Sequence, residues 1–236
     1  MRPPIHVVCV HGAGAGGWEW AIWSRGFAAH GIRLSAPDLV AARSGLQATS
    51  FADYRLQVLD GFDRDANELP RARRVLIGAS LGGLLALSVA AEVRPAALIL
   101  VNPMPPAAIL SEPMGEPYPA IVAWGSQRSI ASTRRAMPDA DDAACLLAFR
   151  RWRDESGLVL EQARLGITVG IPDCPILVLA SDRDTDVSAE LSRELAARCG
   201  ADFELLAGCS HVGPLLGKRA PWIAERAASW LLSRLP

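Results

Sequence analysis

Residues 75–87 of the chain read VLIGASLGGLLAL, a short apolar run followed by a glycine-rich turn and a longer apolar run. The first run is typical of a buried strand, and the second, which continues to residue 93, is typical of a buried helix. The turn contains Gly78-x-Ser80-x-Gly82, the spacing of a serine on a sharp strand-to-helix turn. Glycines at these positions leave room for a strained backbone, so the pattern predicts a nucleophilic Ser80. Because the chain is rich in glycine and alanine, chance also produces such a pattern, and other catalytic groups must support it.

The composition indicates one sizeable domain, residues 1–236, since half of the residues are hydrophobic. A formal net charge of -1 does not favour nucleic acid or an anionic membrane as a partner. The sequence contains no apolar core of a signal peptide and no stretch long enough to span a bilayer. The five cysteines are scattered without C-x-x-C spacing, so we expect reduced thiols in a cytoplasmic protein.

Strand-like and helix-like segments alternate along the chain. Strands are predicted at 5–10, 32–36, 74–77, 97–101, 175–180 and 203–206, and helices at about 18–30, 51–69, 81–93, 188–199 and 219–235. This alternation predicts an α/β fold with a mostly parallel six-stranded sheet and helices on both faces.

The alternation is interrupted between residues 103 and 173. This stretch holds many prolines, little strand character and helical patches at 131–137 and 141–154. We interpret it as a small cap inserted into a core formed by 1–102 and 174–236.

Four histidines compete for the role of the base that Ser80 would need. His6 lies inside the first strand, as a packed or edge residue would. His30 sits at a helix end, where a histidine often serves as a favourable cation, and His11 begins a glycine-rich loop. His211 follows the last strand, at the sheet edge where ligands bind in open α/β folds. We therefore predict that His211 is the base.

The base requires a carboxylate that holds its tautomer and stabilises the imidazolium. Asp182, Asp184 and Asp186 all follow the strand at 175–180. Asp182 lies close to the strand end and Asp186 is placed to cap the next helix, so we favour Asp184 and keep the other two as alternatives. The fourth strand is followed by Asn102 without a nearby carboxylate, which favours the later position.

The order Ser80, Asp184, His211 resembles that of the α/β-hydrolase superfamily. The resemblance covers essentially the whole chain. The compact size and the loop HGAGAGGW at residues 11–18 are most similar to the small serine esterase and hydroxynitrile-lyase branch.

The resemblance implies an oxyanion hole formed by the backbone amides of Ala13 and Leu81. The aspartate-bearing strand end departs from the family pattern, since Ser181 stands where a glycine is usual.

A dinucleotide-binding loop is an alternative interpretation of the glycines. Gly12-x-Gly14-x-x-Gly17 follows a strand, and Asp38 ends the next strand about twenty residues later. The distant Ser-Asp-His set favours an oxyanion site over a pyrophosphate site. Asp38 is then interpreted as a turn or cap residue.

The predicted cap offers possible pocket residues. Trp124 and Trp152 are candidate substrate-binding residues, and Met104, Pro105 and Leu110 are further wall candidates.

The basic run Arg150-Arg151-Trp152-Arg153 could grip a substrate carboxylate. We favour instead a solvated helix face, with Arg150–Asp154 and Arg151–Glu155 ion pairs at i,i+4 spacing.

These features predict a serine hydrolase that cleaves a small-to-medium carboxylic ester or thioester through an acyl-enzyme. The chemistry needs no metal and no organic cofactor, and the partner is a small-molecule substrate. A lyase, acyl transferase or cyclase using the same triad is one alternative, and a ligand-binding protein that kept the fold is another. A homodimer is also possible.

Overall fold

The computed structural model describes residues 3–68 and 72–235. The strands are β1 Ile5–Val10, β2 Arg33–Ser35, β3 Arg73–Ala79, β4 Ala97–Val101, β5 Ile121–Val122, β6 Glu155–Ser156, β7 Ile176–Ser181 and β8 Asp202–Leu206. The helices are α1 Ala21–Ala29, α2 Phe51–Glu68, α3 Leu81–Val93, α4 Ile130–Ala136, α5 Asp142–Arg151, α6 Gly157–Leu165, α7 Ala189–Cys199, α8 Gly213–Leu216 and α9 Ala220–Arg234. The predicted end of α2 at residue 69 lies outside the described residues.

Six strands form one sheet in the order β2-β1-β3-β4-β7-β8, and all five pairings are parallel. The prediction of a six-stranded sheet with helices on both faces is confirmed. In the centre, Gly78 pairs with Val10 on one side and with Leu100 on the other. The carboxyl ends of β1, β3, β4 and β7 therefore meet at one edge, where loops can combine their side chains.

The central strands are buried on both faces, which explains their continuous apolar runs. Val7, Cys9 and Ile77 face a layer formed mainly with α1 and α9. Val8 and Leu76 face the opposite layer, formed mainly with α2, α3 and α7. These side chains are 0–1% exposed, so the sheet is closely packed on both faces. The close packing restricts movement of the strand ends that carry the loops at the carboxyl edge.

The cap segment, residues 103–173, lies between β4 and β7 and contains α4, α5, α6 and the antiparallel pair β5–β6. The sequence indicated α4 and α5 but not α6, nor the two short strands. Of its side chains, Ala148 packs into the α1–α9 layer, while Val159 packs into the opposite layer.

Among the described residues, none of the helices combines the length and the apolar character needed to cross a bilayer.

Candidate active site

Ser80 occupies the turn between β3 and α3 with φ 53° and ψ -121°, a backbone conformation that a non-glycine residue rarely adopts. The neighbouring glycines are required by close contacts. A Cβ on Gly78 would lie 2.1 Å from the Gly82 carbonyl oxygen, and a Cβ on Gly82 would lie 2.3 Å from that of Val10. The tight turn places Ser80 in the wall of a cavity at the carboxyl edge of the sheet.

His211 lines the same cavity, and its Nδ1 lies 2.7 Å from Oδ2 of Asp184. The Asp184 side chain is only 1% exposed. Its other oxygen, Oδ1, accepts hydrogen bonds from the amides of Asp186 and Val187 at 2.8 and 2.9 Å. These bonds fix the carboxylate, so Nδ1 of His211 is the protonated nitrogen and Nε2 is left as the basic one.

The surroundings of His211 favour its protonated form. Burial alone would lower the pKa of the imidazole, but the hydrogen bond and charge of Asp184 raise it above its ordinary value. The carboxylates of Asp186 and Glu19 act in the same direction. An imidazolium formed during a reaction would thus be stabilised where it forms.

The two alternative acids occupy other places. Asp182 Oδ1 accepts a hydrogen bond from the Gly208 amide at 2.7 Å and so holds the loop after β8. Asp186 is exposed at the cavity rim. Possible metal-ligand atoms of Asp184, Asp186 and His211 lie within 4.8 Å of one another. Both oxygens of Asp184, however, already accept hydrogen bonds, one from Nδ1 of His211 and the other from two backbone amides.

The cavity has a volume of about 480 Å³. Its wall is mainly apolar, and Trp124 and Trp152 both belong to it, as does Met104. The other two wall candidates, Pro105 and Leu110, do not line it. Further apolar wall residues come from the cap segment, from the loops after β7 and β8, and from α8: Met114, Tyr118, Leu160, Val187, Val212 and Leu215.

The glycine-rich loop, residues 11–17, forms another part of the cavity wall. Carboxylates accept from three of its amides. Gly12 donates to Glu19 at 2.9 Å, Gly14 donates to Glu155 at 2.8 Å, and the Gly17 amide donates to Asp38 at 2.6 Å. A pyrophosphate at this loop would therefore meet negative charge instead of free amides, which argues against the dinucleotide interpretation.

The two amides expected to form an oxyanion hole are in a different situation. Within residues 3–68 and 72–235, no protein acceptor is bonded to the amide of Ala13 or of Leu81. Ala13 lines the cavity, and Leu81 begins α3 directly after Ser80. In this part of the chain, the unpaired Ala13 amide thus lies in the cavity wall, and the unpaired Leu81 amide lies at the start of α3.

Glu19 was not singled out from the sequence, yet it lines the cavity and is only 3% exposed. Burial raises the pKa of its carboxyl group to about 7. The hydrogen bond from the Gly12 amide and the charges of His211 and Arg153 oppose this rise. Two acidic side chains, Asp186 and Glu19, therefore line the cavity together with His211.

The remaining histidines have structural environments. His11 Nδ1 donates to the Gly12 carbonyl at 2.8 Å, and its Nε2 accepts from the Leu39 amide at 2.8 Å. Both nitrogens are engaged, and burial lowers the pKa of this imidazole to about 4. His30 pairs with Glu225 of α9 at 2.8 Å, and His6 is buried within β1.

The prediction of ion pairs Arg150–Asp154 and Arg151–Glu155 on a helix face is wrong, because α5 ends at Arg151 and does not extend to residues 154 and 155. Asp154 instead accepts from the amides of residues 125 and 126, at 2.8 and 2.7 Å.

Glu155 is buried and accepts from the hydroxyl of Tyr54 and the amide of Gly14. Arg153 donates through Nε to the carbonyl of Ala15 at 2.7 Å, so this part of the cap segment contacts the glycine-rich loop.

Two further residues shape the site. Asn102, with φ 43°, donates from Nδ2 to the His211 carbonyl at 2.6 Å and accepts from the Ser181 amide at 2.7 Å. Asp139 of the cap segment accepts from the hydroxyl of Ser210 at 2.5 Å. Both therefore hold the loop that carries His211. The position of Asn102 at a strand end was a signal in the sequence, whereas nothing local distinguished Asp139.

The fold brings Ser80 and His211 to the wall of one cavity, and Asp184 is hydrogen-bonded to His211 there. A model of the alpha/beta hydrolase family matches residues 7–226, and the chain belongs to this family. No curated protein sequence matches the chain significantly.

Solved structures with the same fold include several esterases. Polyneuridine aldehyde esterase is 18% identical with a TM-score of 0.69, and the match covers 98% of each chain. The methylesterase MES16 from Arabidopsis is 18% identical with a TM-score of 0.70, covering 96% of this chain and 100% of the other. The thioesterase domain from the curacin biosynthetic pathway is 21% identical with a TM-score of 0.67, covering 99% and 92%. At these identities the likeness shows the fold.

Proposed function

We propose that this protein is a serine hydrolase that cleaves small-to-medium carboxylic esters or thioesters. The observation that carries the proposal is the 2.7 Å contact between His211 and Asp184 at a cavity that Ser80 also lines. The fixed carboxylate leaves Nε2 of His211 as the basic nitrogen, on the side of the ring away from Asp184. General-base activation of a serine requires such a basic nitrogen facing the serine hydroxyl, and the shared cavity supports this role for His211.

In the proposed reaction, His211 takes the proton of Ser80 while the serine oxygen attacks the acyl carbonyl. The amides of Ala13 and Leu81 donate to the developing oxyanion. His211 then gives its proton to the leaving alcohol or thiol, which leaves an acyl-enzyme. Water then attacks the acyl-enzyme while His211 takes its proton. His211 gives this proton to the oxygen of Ser80, and the acid is released.

The apolar wall of the cavity supports a substrate that is mainly hydrocarbon around its scissile carbonyl. Trp124 and Trp152 would contact it, and the volume of about 480 Å³ is suited to a small or medium-sized molecule. The esterases and the thioesterase that share the fold agree with this substrate class.

A panel of p-nitrophenyl esters and acyl thioesters of increasing acyl length tests the proposal, with Ser80→Ala as the control. We expect release of free acid by the wild type, an optimum at short to medium acyl chains, and a loss of at least about 10³-fold in the variant. Hydrolysis retained by Ser80→Ala would contradict the proposal. Acyl product on an added alcohol without free acid would favour the transferase alternative.

A further inference from the structure

The backbone of the glycine-rich loop is held from both sides of Ala13 by buried carboxylates. Gly12 donates to Oε1 of Glu19 at 2.9 Å, and Gly14 donates to Oε2 of Glu155 at 2.8 Å. Both glutamates are 3% exposed. Hydrogen bonds from backbone amides to buried carboxylates are stronger than those between neutral groups, so they restrict the loop more firmly.

The second of these contacts comes from the cap segment. The Gly14 carbonyl accepts from the Arg153 amide at 2.8 Å, so both backbone polar groups of Gly14 are bonded to residues 153–155. A Cβ on Gly14 would lie 2.7 Å from the ring of Trp124, which covers this point of the loop. The cap segment thus fixes the chain one residue away from the Ala13 amide.

We propose that Glu19 and Glu155 are positioning residues that hold the amides flanking Ala13, so that the Ala13 amide stays directed at the oxyanion position. The inference rests on the proposed function for its catalytic consequence. The bonds leave one amide unpaired between two that are fixed, which is the preorganisation that oxyanion stabilisation needs. The cap segment, through Glu155, then completes the oxyanion hole as well as the pocket wall.

The contacts of Glu155 suggest a selective perturbation. Its Oε1 accepts from the Tyr54 hydroxyl and from the Ser156 amide, both at 2.8 Å. In Glu155→Gln, the single oxygen would keep these two donors, and the amide nitrogen would face the Gly14 N–H. Two donors then oppose each other, and the loop moves. Tyr54→Phe is the matched control, because it removes a hydrogen bond from the same carboxylate without touching Gly14.

We expect Glu155→Gln to lower kcat by about 10- to 100-fold with KM changed by less than about threefold, since a displaced donor weakens only the transition state. The inhibition constant of an alkyl trifluoromethyl ketone, whose hemiketal oxygen mimics the oxyanion, should rise by the same factor. Tyr54→Phe should keep kcat within about threefold. An unchanged kcat in Glu155→Gln, equal losses in both variants, or a change in KM alone would overturn the inference.

Glu19 provides a second test that does not depend on the folding of the Glu155 variant. Glu19→Met removes the acceptor for the Gly12 amide, whereas Glu19→Gln keeps an oxygen there. We expect Glu19→Gln to retain at least about tenfold more kcat than Glu19→Met. Equal values for the two variants would count against positioning by Glu19.

Hydrogen–deuterium exchange separates this inference from the proposed function, because it needs no turnover. Exchange of a peptide covering residues 11–20 should accelerate at least about tenfold in Glu155→Gln and not in Tyr54→Phe. Accelerated exchange in a protein without hydrolytic activity would sustain the positioning and reject the function. Unchanged exchange would reject the positioning whatever the activity.

Discussion

Replacement of Asp184 by Asn tests the role of the buried carboxylate at His211. Oδ1 of Asp184 accepts from two backbone amides at 2.8 and 2.9 Å, so an Asn side chain would keep its oxygen at those amides. Its Nδ2 would then face Nδ1 of His211, 2.7 Å away in the wild type. Because Nδ2 can only donate, Nδ1 must become the acceptor, and the ring proton moves to Nε2. Nε2 is then unable to take the proton of Ser80.

The expected loss in kcat is about 10⁴-fold, the size found when a triad aspartate is replaced and the imidazole takes the wrong tautomer. It corresponds to about 5 kcal/mol of activation free energy. At 1% exposure, water has little access to the carboxylate and does not replace it. The assay is steady-state hydrolysis of a p-nitrophenyl ester at pH 8, with circular dichroism melting to verify folding.

Asp186→Asn and Asp182→Asn are the matched controls, because both side chains are exposed and neither bonds to His211. We expect each to stay within about tenfold of the wild type. If Asp184→Asn keeps more than a tenth of the wild-type kcat, or if either control loses as much as Asp184→Asn, the assignment of the triad acid is refuted.

Three further outcomes follow from the geometry. Gly82→Ala should destabilise the protein by more than about 3 kcal/mol, because the new Cβ would lie 2.3 Å from the Val10 carbonyl oxygen. Gly61→Ala is the control, since its Cβ would have no atom nearer than 3.8 Å, and this variant should melt at or above the wild-type temperature. The kcat/KM of the wild type should fall as the pH drops through the raised pKa of His211. Glu19→Gln removes a charge that raises this pKa, so the fall should occur at lower pH in the variant; a fall at higher pH would contradict this. Burial raises the pKa of Glu19 from 4.5 to about 7, so ionisation of Glu19 destabilises the folded protein. This destabilisation is absent below pH 4.5, grows as the pH rises, and is complete above pH 7. Glu19→Gln should therefore stabilise the protein at pH 8 by on the order of 3 kcal/mol and hardly at all at pH 4.5, as measured by urea unfolding.

The core of the fold was predictable because burial on both faces produces continuous apolar runs in the central strands. The prediction for β1 agrees with Ile5–Val10, and that for the helix after Ser80 agrees with Leu81–Val93. The order of the chain also placed the loops of Asp184 and His211 at one edge of the sheet. These inferences use local patterns and the parallel connection rule, which act strongly in such a fold.

The cap segment was less predictable because its contacts are tertiary. A Cβ on Gly157, at the start of α6, would lie 1.6 Å from the Pro119 carbonyl, so a glycine that normally disfavours a helix is required there. Strands β5 and β6 have two residues each, too few for a periodic pattern. The charges at 150–155 suggested a helix face, but Glu155 lies buried against Gly14, which is 141 residues away in the chain. The positions of Glu19 and Glu155 at the site follow from such distant contacts. The single-domain organisation, the homodimer and the cytoplasmic location stay predictions.

Intact-mass spectrometry after treatment with a fluorophosphonate asks most directly whether Ser80 is an activated nucleophile. We expect one covalent adduct on the wild type, mapped to Ser80 by peptide fragmentation, and none on Ser80→Ala. Asp184→Asn should react much more slowly, because its imidazole cannot take the serine proton. No adduct on folded wild-type protein, or an adduct that persists in Ser80→Ala, would contradict the proposed mechanism.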